Sequence, residues 1–270
     1  MRLGVYLPPF GELADPRVLA DLAAEAEGAG FDGVFVWDHV VRPQRPGLPV
    51  CDAWIALAAI AAATRTVRFG PRVTPLSRRR PHEVARQSVA LDQLGGGRFV
   101  LGVGLGSNTG GELTALGEES DPRARARLLD ESLEVITSLW SGAVVDHRGP
   151  HFQVDGLRFL PRPVQVPRIP IWVATQSLHR APLRRAARFD GCCPEASPSD
   201  LVAMLDIIGE YRGDLDGFAV AVAGTADKDP DEYRAAGATW WLVQVPEISS
   251  RSQASTVIRD AADRLIGAGR

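Results

Sequence analysis

Three cysteines in 270 residues exclude a disulfide framework. Cys192 and Cys193 are adjacent, so a bridge between them would be strained, and Cys51 stands alone. This usage predicts a reducing, cytoplasmic compartment. Long hydrophobic runs are scarce as well. The longest, Ala53–Ala63, is alanine-rich and too short to span a bilayer. The first ten residues read as a strand ended by Pro8-Pro9, not as a signal peptide. An excess of positive charge is missing: the formal net charge of −3 argues against nucleic acid as a partner. His82, His147, His151 and His179 have no ligand spacing with carboxylates or cysteines, so no metal is expected. There is neither a Gly-x-Ser-x-Gly elbow nor a cysteine in an activating context. Nor is there a repeat, a low-complexity tract or a linker, so residues 1–270 are expected to form a single domain.

What is present is organised around Leu91-Asp92-Gln93-Leu94-Gly95-Gly96-Gly97-Arg98, continuing through Phe99 and Leu101 to Gly102, Gly104 and Gly106. A helix stops at the triple glycine, where positive φ is accessible. A short apolar run without alternation follows, as in a strand buried on both faces. The chain leaves that strand through glycines, where backbone can approach a ligand. This is one helix–strand step of a parallel sheet, whose exit end is the usual place for chemistry. The same step recurs. Strands are predicted at residues 3–7, 31–37, 67–74, 99–103, 171–174, 190–194, 218–223 and 239–245. Asp15-Pro16 and Asp121-Pro122 mark helix starts, and Asp52 caps a further helix. Residues 141–170 read as an excursion, with a hairpin as the simplest form. About eight strand–helix steps predict a closed (β/α)8 barrel, with a doubly wound open sheet as the competing arrangement.

Asp38-His39, at the end of the second strand, is the leading catalytic candidate. A neighbouring carboxylate can hold an imidazole's tautomer and stabilise its cation. The alternative is a turn-capping Asp beside a surface His. Gly102, Gly104 and Gly106 with Ser107, Asn108 and Thr109 form either a tight strand exit or a ligand-facing loop. About fifteen residues separate these glycines from the next helix, too many for a dinucleotide fingerprint. Arg78-Arg79-Arg80 reads as a solvated face or as a phosphate-binding cluster. Thr175, Gln176 and Ser177 precede a helix and offer either N–H groups to a phosphate or a plain helix cap.

Several stretches together resemble the luciferase-like flavin-dependent oxidoreductases. They are Phe31-Asp32-Gly33-Val34-Phe35-Val36-Trp37-Asp38-His39, Pro81-His82-Glu83-Val84-Ala85-Arg86, the glycine-rich stretch above, Leu139-Trp140-Ser141-Gly142 and Pro161-Arg162-Pro163-Val164-Gln165. The resemblance covers roughly residues 1–195 and weakens toward a shortened tail. It implies a TIM barrel holding reduced FMN or the deazaflavin F420 at the C-terminal rim. It also implies a homodimer and a small organic substrate, reached by hydride transfer with F420 or by oxygenation with FMN. Asp38 and His39 would lie near the reactive edge of the ring, with His39 handling a proton. Arg72 and Val73 would stand where relatives have a bulged or cis-peptide ring support. Gly104, Gly106, Ser107 and Asn108 would line the ring and ribityl chain, and Thr175, Gln176 and Ser177 would approach the phosphate.

The chain also departs from relatives. Thr175-Gln176 stands where many have two glycines. Ser107 replaces the Glu of some deazaflavin-dependent sugar-phosphate dehydrogenases, which also carry a Trp near Pro43, absent here. The Asp-His pair favours the deazaflavin branch. The rival readings are a non-catalytic flavin-binding member and a nicotinamide-dependent dehydrogenase on an open sheet.

Overall fold

The computed structural model describes residues 1–108, 110–225 and 228–267. β1 (Arg2–Leu7) opens the chain. Asp15 then accepts from the Arg17 amide at 2.8 Å with Pro16 at the first helical position, and α1 (Pro16–Gly28) begins. β2 (Gly33–Val36) runs into a proline-rich loop, and Asp52 caps α2 (Ala53–Ala63). The single strand expected over residues 67–74 is instead two pieces, β3 (Arg68–Pro71) and β4 (Thr74–Pro75), with a cis Arg72–Val73 bond between them. α3 (Pro81–Leu94) ends at the glycine triplet, where Gly96 and Gly97 have positive φ. After β5 (Leu101–Gly104) comes a short helix that the sequence did not signal, α4 (Glu112–Ala115), and then α5 (Pro122–Trp140). The excursion holds an antiparallel hairpin, β6 (Val144–Arg148) and β7 (Gln153–Arg158). The rest alternates: β8 (Ile171–Thr175), α6 (Arg180–Ala187), β9 (Gly191–Pro194), α7 (Pro198–Arg212), β10 (Ala219–Gly224), α8 (Pro230–Ala235), β11 (Trp240–Gln244) and α9 (Arg251–Leu265).

The strands pair in the order β3-β2-β1-β11-β10-β9-β8-β5-β4, all parallel. The two ends of that order are the two halves of one interrupted strand. Phe69 in β3 bridges Phe99, just before β5, while β4 pairs with β5 itself. The sheet therefore closes on itself, and the open doubly wound arrangement is set aside. Gly102 belongs to this seam, since a Cβ there would collide with the Pro71 carbonyl oxygen.

One end of the cylinder is plugged. Phe35 stacks on Trp172 with centroids 5.3 Å apart, and Trp240 meets both edge-on. Burying each such ring contributes on the order of 1.5–3 kcal/mol. A larger apolar layer lies between the strands and the surrounding helices, with Val5, Val34, Leu101, Val173 and Trp241 on the strand side and Leu22, Leu57, Ile136 and Ile258 on the helix side. Polar residues in the recognisable motifs fasten this frame. Buried Asp92 accepts from the Val164 amide (2.7 Å) and the Gln165 side chain (2.7 Å), tying α3 to the segment that enters β8. Arg98 donates to the Thr64 and Val67 carbonyls at 2.9 and 2.7 Å. Glu131 on α5 accepts from the Phe152 amide (2.8 Å) and from His147 Nε2 (3.1 Å), holding the hairpin down. Among the described residues, no helix is long and apolar enough to cross a membrane.

Candidate functional site

At the C-terminal end of the barrel opens a cavity of about 810 Å³. It is lined by Asp38, His39, Arg72, Val73, Gly104, Gly106, Ser107, Asn108, Gln176 and Ser177, ten of the eleven residues to which the family resemblance gave a site role. The eleventh, Thr175, is a correction. Side chains alternate along a strand, so Ala174 faces the cavity while the buried Thr175 hydroxyl turns outward to Met204 Sδ (4.0 Å) on α7. Thr109 lies outside the described residues.

The pairing expected between Asp38 and His39 is also corrected. Asp38 is only 5% exposed. Its carboxylate accepts from Arg78 Nη2 (2.7 Å), Arg79 Nη2 (3.1 Å), Thr74 Oγ1 (2.7 Å) and Trp54 Nε1 (3.3 Å). Burial alone would raise its pKa, but the guanidinium charges of Arg79 and Arg78 and the Thr74 hydroxyl prevail and lower it. Asp38 is therefore a buried anion neutralised from behind. The arginine run is neither a solvated face nor a phosphate cluster: two of its members are the counter-charges, and Arg80 precedes α3.

The carboxylate that holds His39 is Glu112, at the start of α4. Glu112 Oε2 lies 2.7 Å from His39 Nδ1, while Oε1 accepts from the Val40 amide (2.6 Å) and Arg78 Nη1 (3.3 Å). Burial works against the charged form, but the hydrogen bonds from His39 and the Val40 amide, with the Arg78 charge, bring the Glu112 pKa down to about 2. On the other side of the ring, Arg42 Nη1 is 3.2 Å from His39 Nε2. A carboxylate only accepts and a guanidinium only donates. The partners therefore assign the ring proton to Nδ1 and leave Nε2 as an acceptor. Arg42 is held by Glu247 Oε1 (2.7 Å) and lies over the Phe10 and Trp37 rings. A smaller pocket of about 220 Å³ adjoins His39, between Arg42, Gln44 and Gly110.

The glycine corner is a further part of the cavity wall. A Cβ on Gly104 would come within 2.7 Å of Val73 Cγ2, so only hydrogen fits there. Buried Arg125 donates to the Leu105 (3.0 Å) and Gly106 (2.7 Å) carbonyls and fixes the corner's path. Asn108 Oδ1 accepts from the Leu113 amide (3.0 Å), so this residue organises the loop that delivers Glu112. Gln176 Nε2 donates to Glu195 Oε2 at 2.8 Å. At the cavity wall Tyr6 stacks on Trp37, centroids 5.3 Å apart, and donates its hydroxyl to the Arg72 carbonyl. Burial of this phenol raises its pKa and keeps it neutral. The sequence reading missed Tyr6, Glu112, Arg125 and Glu195. Glu112 carried one signal, a lone acidic residue directly after Gly110-Gly111.

The chain is 35% identical to the F420-dependent glucose-6-phosphate dehydrogenase of Nakamurella multipartita over 161 residues, 58% of this chain and 46% of that protein. It spans about half the length of the curated relatives it matches. The structure of an F420-dependent secondary alcohol dehydrogenase in complex with an F420-acetone adduct superposes with a TM-score of 0.81 at 18% identity, covering 96% of this chain and 97% of that one. A monooxygenase from Streptomyces bottropensis superposes with a TM-score of 0.80 at 21% identity over 100% of both chains. At these identities the structural likeness establishes the fold. The family model described as luciferase-like monooxygenase matches residues 1–261, and the chain belongs to that family.

Proposed function

We propose that this chain is an F420- or FMN-dependent oxidoreductase acting on a small organic substrate. The observation that carries the reading is His39, a ring with Nδ1 held by Glu112 and Nε2 left as an acceptor, on the wall of the cavity at the barrel's C-terminal rim. The cavity suits a tricyclic ring system with a polar chain. Its volume lies inside the usual range of roughly 300–1,000 Å³ for such sites. Arg72 and Arg125, both buried, bring positive charge to its wall, which favours an acceptor-rich ligand.

When bound, the cofactor supplies the hydride exchange or, for reduced FMN, the reaction with O2. The protein's work is positioning and proton handling. Gly104, with Val73 against it, allows close approach along one wall. His39 accepts a proton from the substrate at Nε2 once the Arg42 donor gives way, and Glu112 stabilises the imidazolium that forms. Arg78 and Arg79 keep Asp38 ionised behind it. The same proposal includes a single domain and a homodimer. Large apolar side chains left exposed on neighbouring helices, Ile55 on α2 and Leu94 on α3, support the latter. It also includes a cytoplasmic setting, supported by three free thiols.

Titrating the purified protein with F420, FMN and NADPH, followed by calorimetry, tests the reading. Binding of F420 or FMN with turnover that requires His39 is expected. Binding of a flavin without turnover favours the non-catalytic alternative, and binding of NADPH alone overturns the proposal.

A further inference from the structure

Arg72 stands out in the charge inventory of the cavity. It is 7% exposed, yet among the described residues no carboxylate lies within 4.0 Å of its guanidinium. Nη2 donates to two backbone carbonyls, of Pro194 (3.1 Å) and Ala221 (3.5 Å), and Nε has no partner. The guanidinium carbon lies 5.2 Å from the centre of the Tyr6 ring. Burial keeps the Tyr6 phenol neutral and pushes the Cys193 thiol up to about 11, and the Glu195 carboxylate, which favours the charged guanidinium through space, lies beyond 4.0 Å of it and is bound by Gln176. Arg78 meets Asp38 and Glu112, and Arg185 meets Asp130. Arg125, like Arg72, binds two backbone carbonyls, but there they are the carbonyls of the glycine corner whose path it fixes.

A buried charge is normally paired, since an uncompensated one is expensive to keep out of water. Arg72 lines the cavity, so its missing partner enters with whatever fills that space. We infer that Arg72 is an anion-recognition point on the cavity wall, and that the bound ligand presents it with an oxygen-borne negative charge. Two sources have that chemistry: the delocalised anion of a reduced cofactor ring, or a carboxylate on the substrate. Only the first rests on the oxidoreductase reading.

The test uses cofactor-free protein and three variants, Arg72→Gln, Arg72→Met and Arg72→Lys, each checked for a cooperative thermal transition. Glutamine retains donors without charge, methionine removes both, and lysine retains charge without the planar fork. Calorimetric titrations are run anaerobically with oxidised and dithionite-reduced FMN at mildly alkaline pH, and separately with benzoate and its neutral counterpart benzamide. A hydrogen bond to a charged group supports an expected loss of about tenfold or more in affinity.

If the ring is the source, Arg72→Gln loses about tenfold for reduced FMN and little for oxidised FMN. The potential of bound FMN then falls by about 30 mV for the two-electron couple. If a carboxylate is the source, the same variant loses benzoate binding and leaves benzamide unchanged. Arg72→Lys retains most of the affinity in either case, and Arg72→Met repeats the Arg72→Gln result should that variant not fold. Equal binding of reduced FMN and benzoate by wild type and both neutral variants overturns the inference. So does a wild type that takes up neither anionic probe. Benzoate binding that depends on Arg72 without any cofactor binding leaves this inference standing while the oxidoreductase proposal falls. Cofactor binding indifferent to Arg72, with no benzoate effect, does the reverse.

Discussion

Glu112 Oε2 stands 2.7 Å from His39 Nδ1 across 73 residues of chain. The contact assigns the tautomer of the ring, and it exists because the loop after β5 folds back over the end of β2. Glu112→Gln is expected to lower kcat on the order of 100-fold with a smaller change in KM, because the neutral amide no longer stabilises a cationic ring. Steady-state kinetics on the cofactor-loaded enzyme checks it. An unchanged kcat would remove Glu112 from the mechanism.

His39→Ala is expected to reduce turnover by roughly 10²–10⁴-fold, the range of general acid–base catalysis. Cofactor affinity, measured by fluorescence quenching, should stay within a few-fold of wild type, because the His39 ring is hydrogen-bonded to Glu112 and Arg42. A variant that turns over normally assigns the proton to another group.

Breaking the Asp38 cluster should show up in stability. Arg78→Met leaves a buried carboxylate with one fewer counter-charge and is expected to cost about 3 kcal/mol in urea unfolding. Adding Asp38→Asn to that variant should restore a large part of the loss. If the double variant is no better than the single one, the pairing described here does not account for the stability.

Acid should weaken the fold in a defined window. Glu112 and Glu27 both have pKa values lowered from 4.5 to about 2. For Glu27, burial opposes the shift and the amides of Thr66, Val67 and Arg65 overcome it. The unfolded chain therefore binds protons that the folded one refuses between these values. The stabilisation is complete above about 4.5 and disappears as pH falls toward about 2. Glu27→Gln should flatten the slope of urea midpoint against pH in that window. An unaltered slope would mean that Glu27 is not held as a carboxylate.

Thr175→Val is expected to leave cofactor affinity unchanged, since the hydroxyl faces Met204 and not the cavity. A clear loss of affinity in the calorimetric titration would return Thr175 to the ligand-binding set.

The sequence by itself determined the frame. Asp15, Asp52 and Asp121 cap the helices they precede, and the glycine triplet ends α3. The buried strands could be placed within a few residues. These signals act over a few positions, through a cap bonding an amide two or three residues ahead or a φ that only glycine adopts easily. The same short-range reading brought Asp38, His39, Gly104 and Gly106 to one rim, because a parallel barrel puts every strand exit there. Which charge meets which was decided only by the tertiary structure. Arg78 and Arg79 turn inward to Asp38, Glu112 arrives on a four-residue helix to claim His39, and among the described residues no carboxylate comes within 4.0 Å of Arg72. Charge pairing depends on distance in space and on burial, and neither is written in the spacing of residues along the chain.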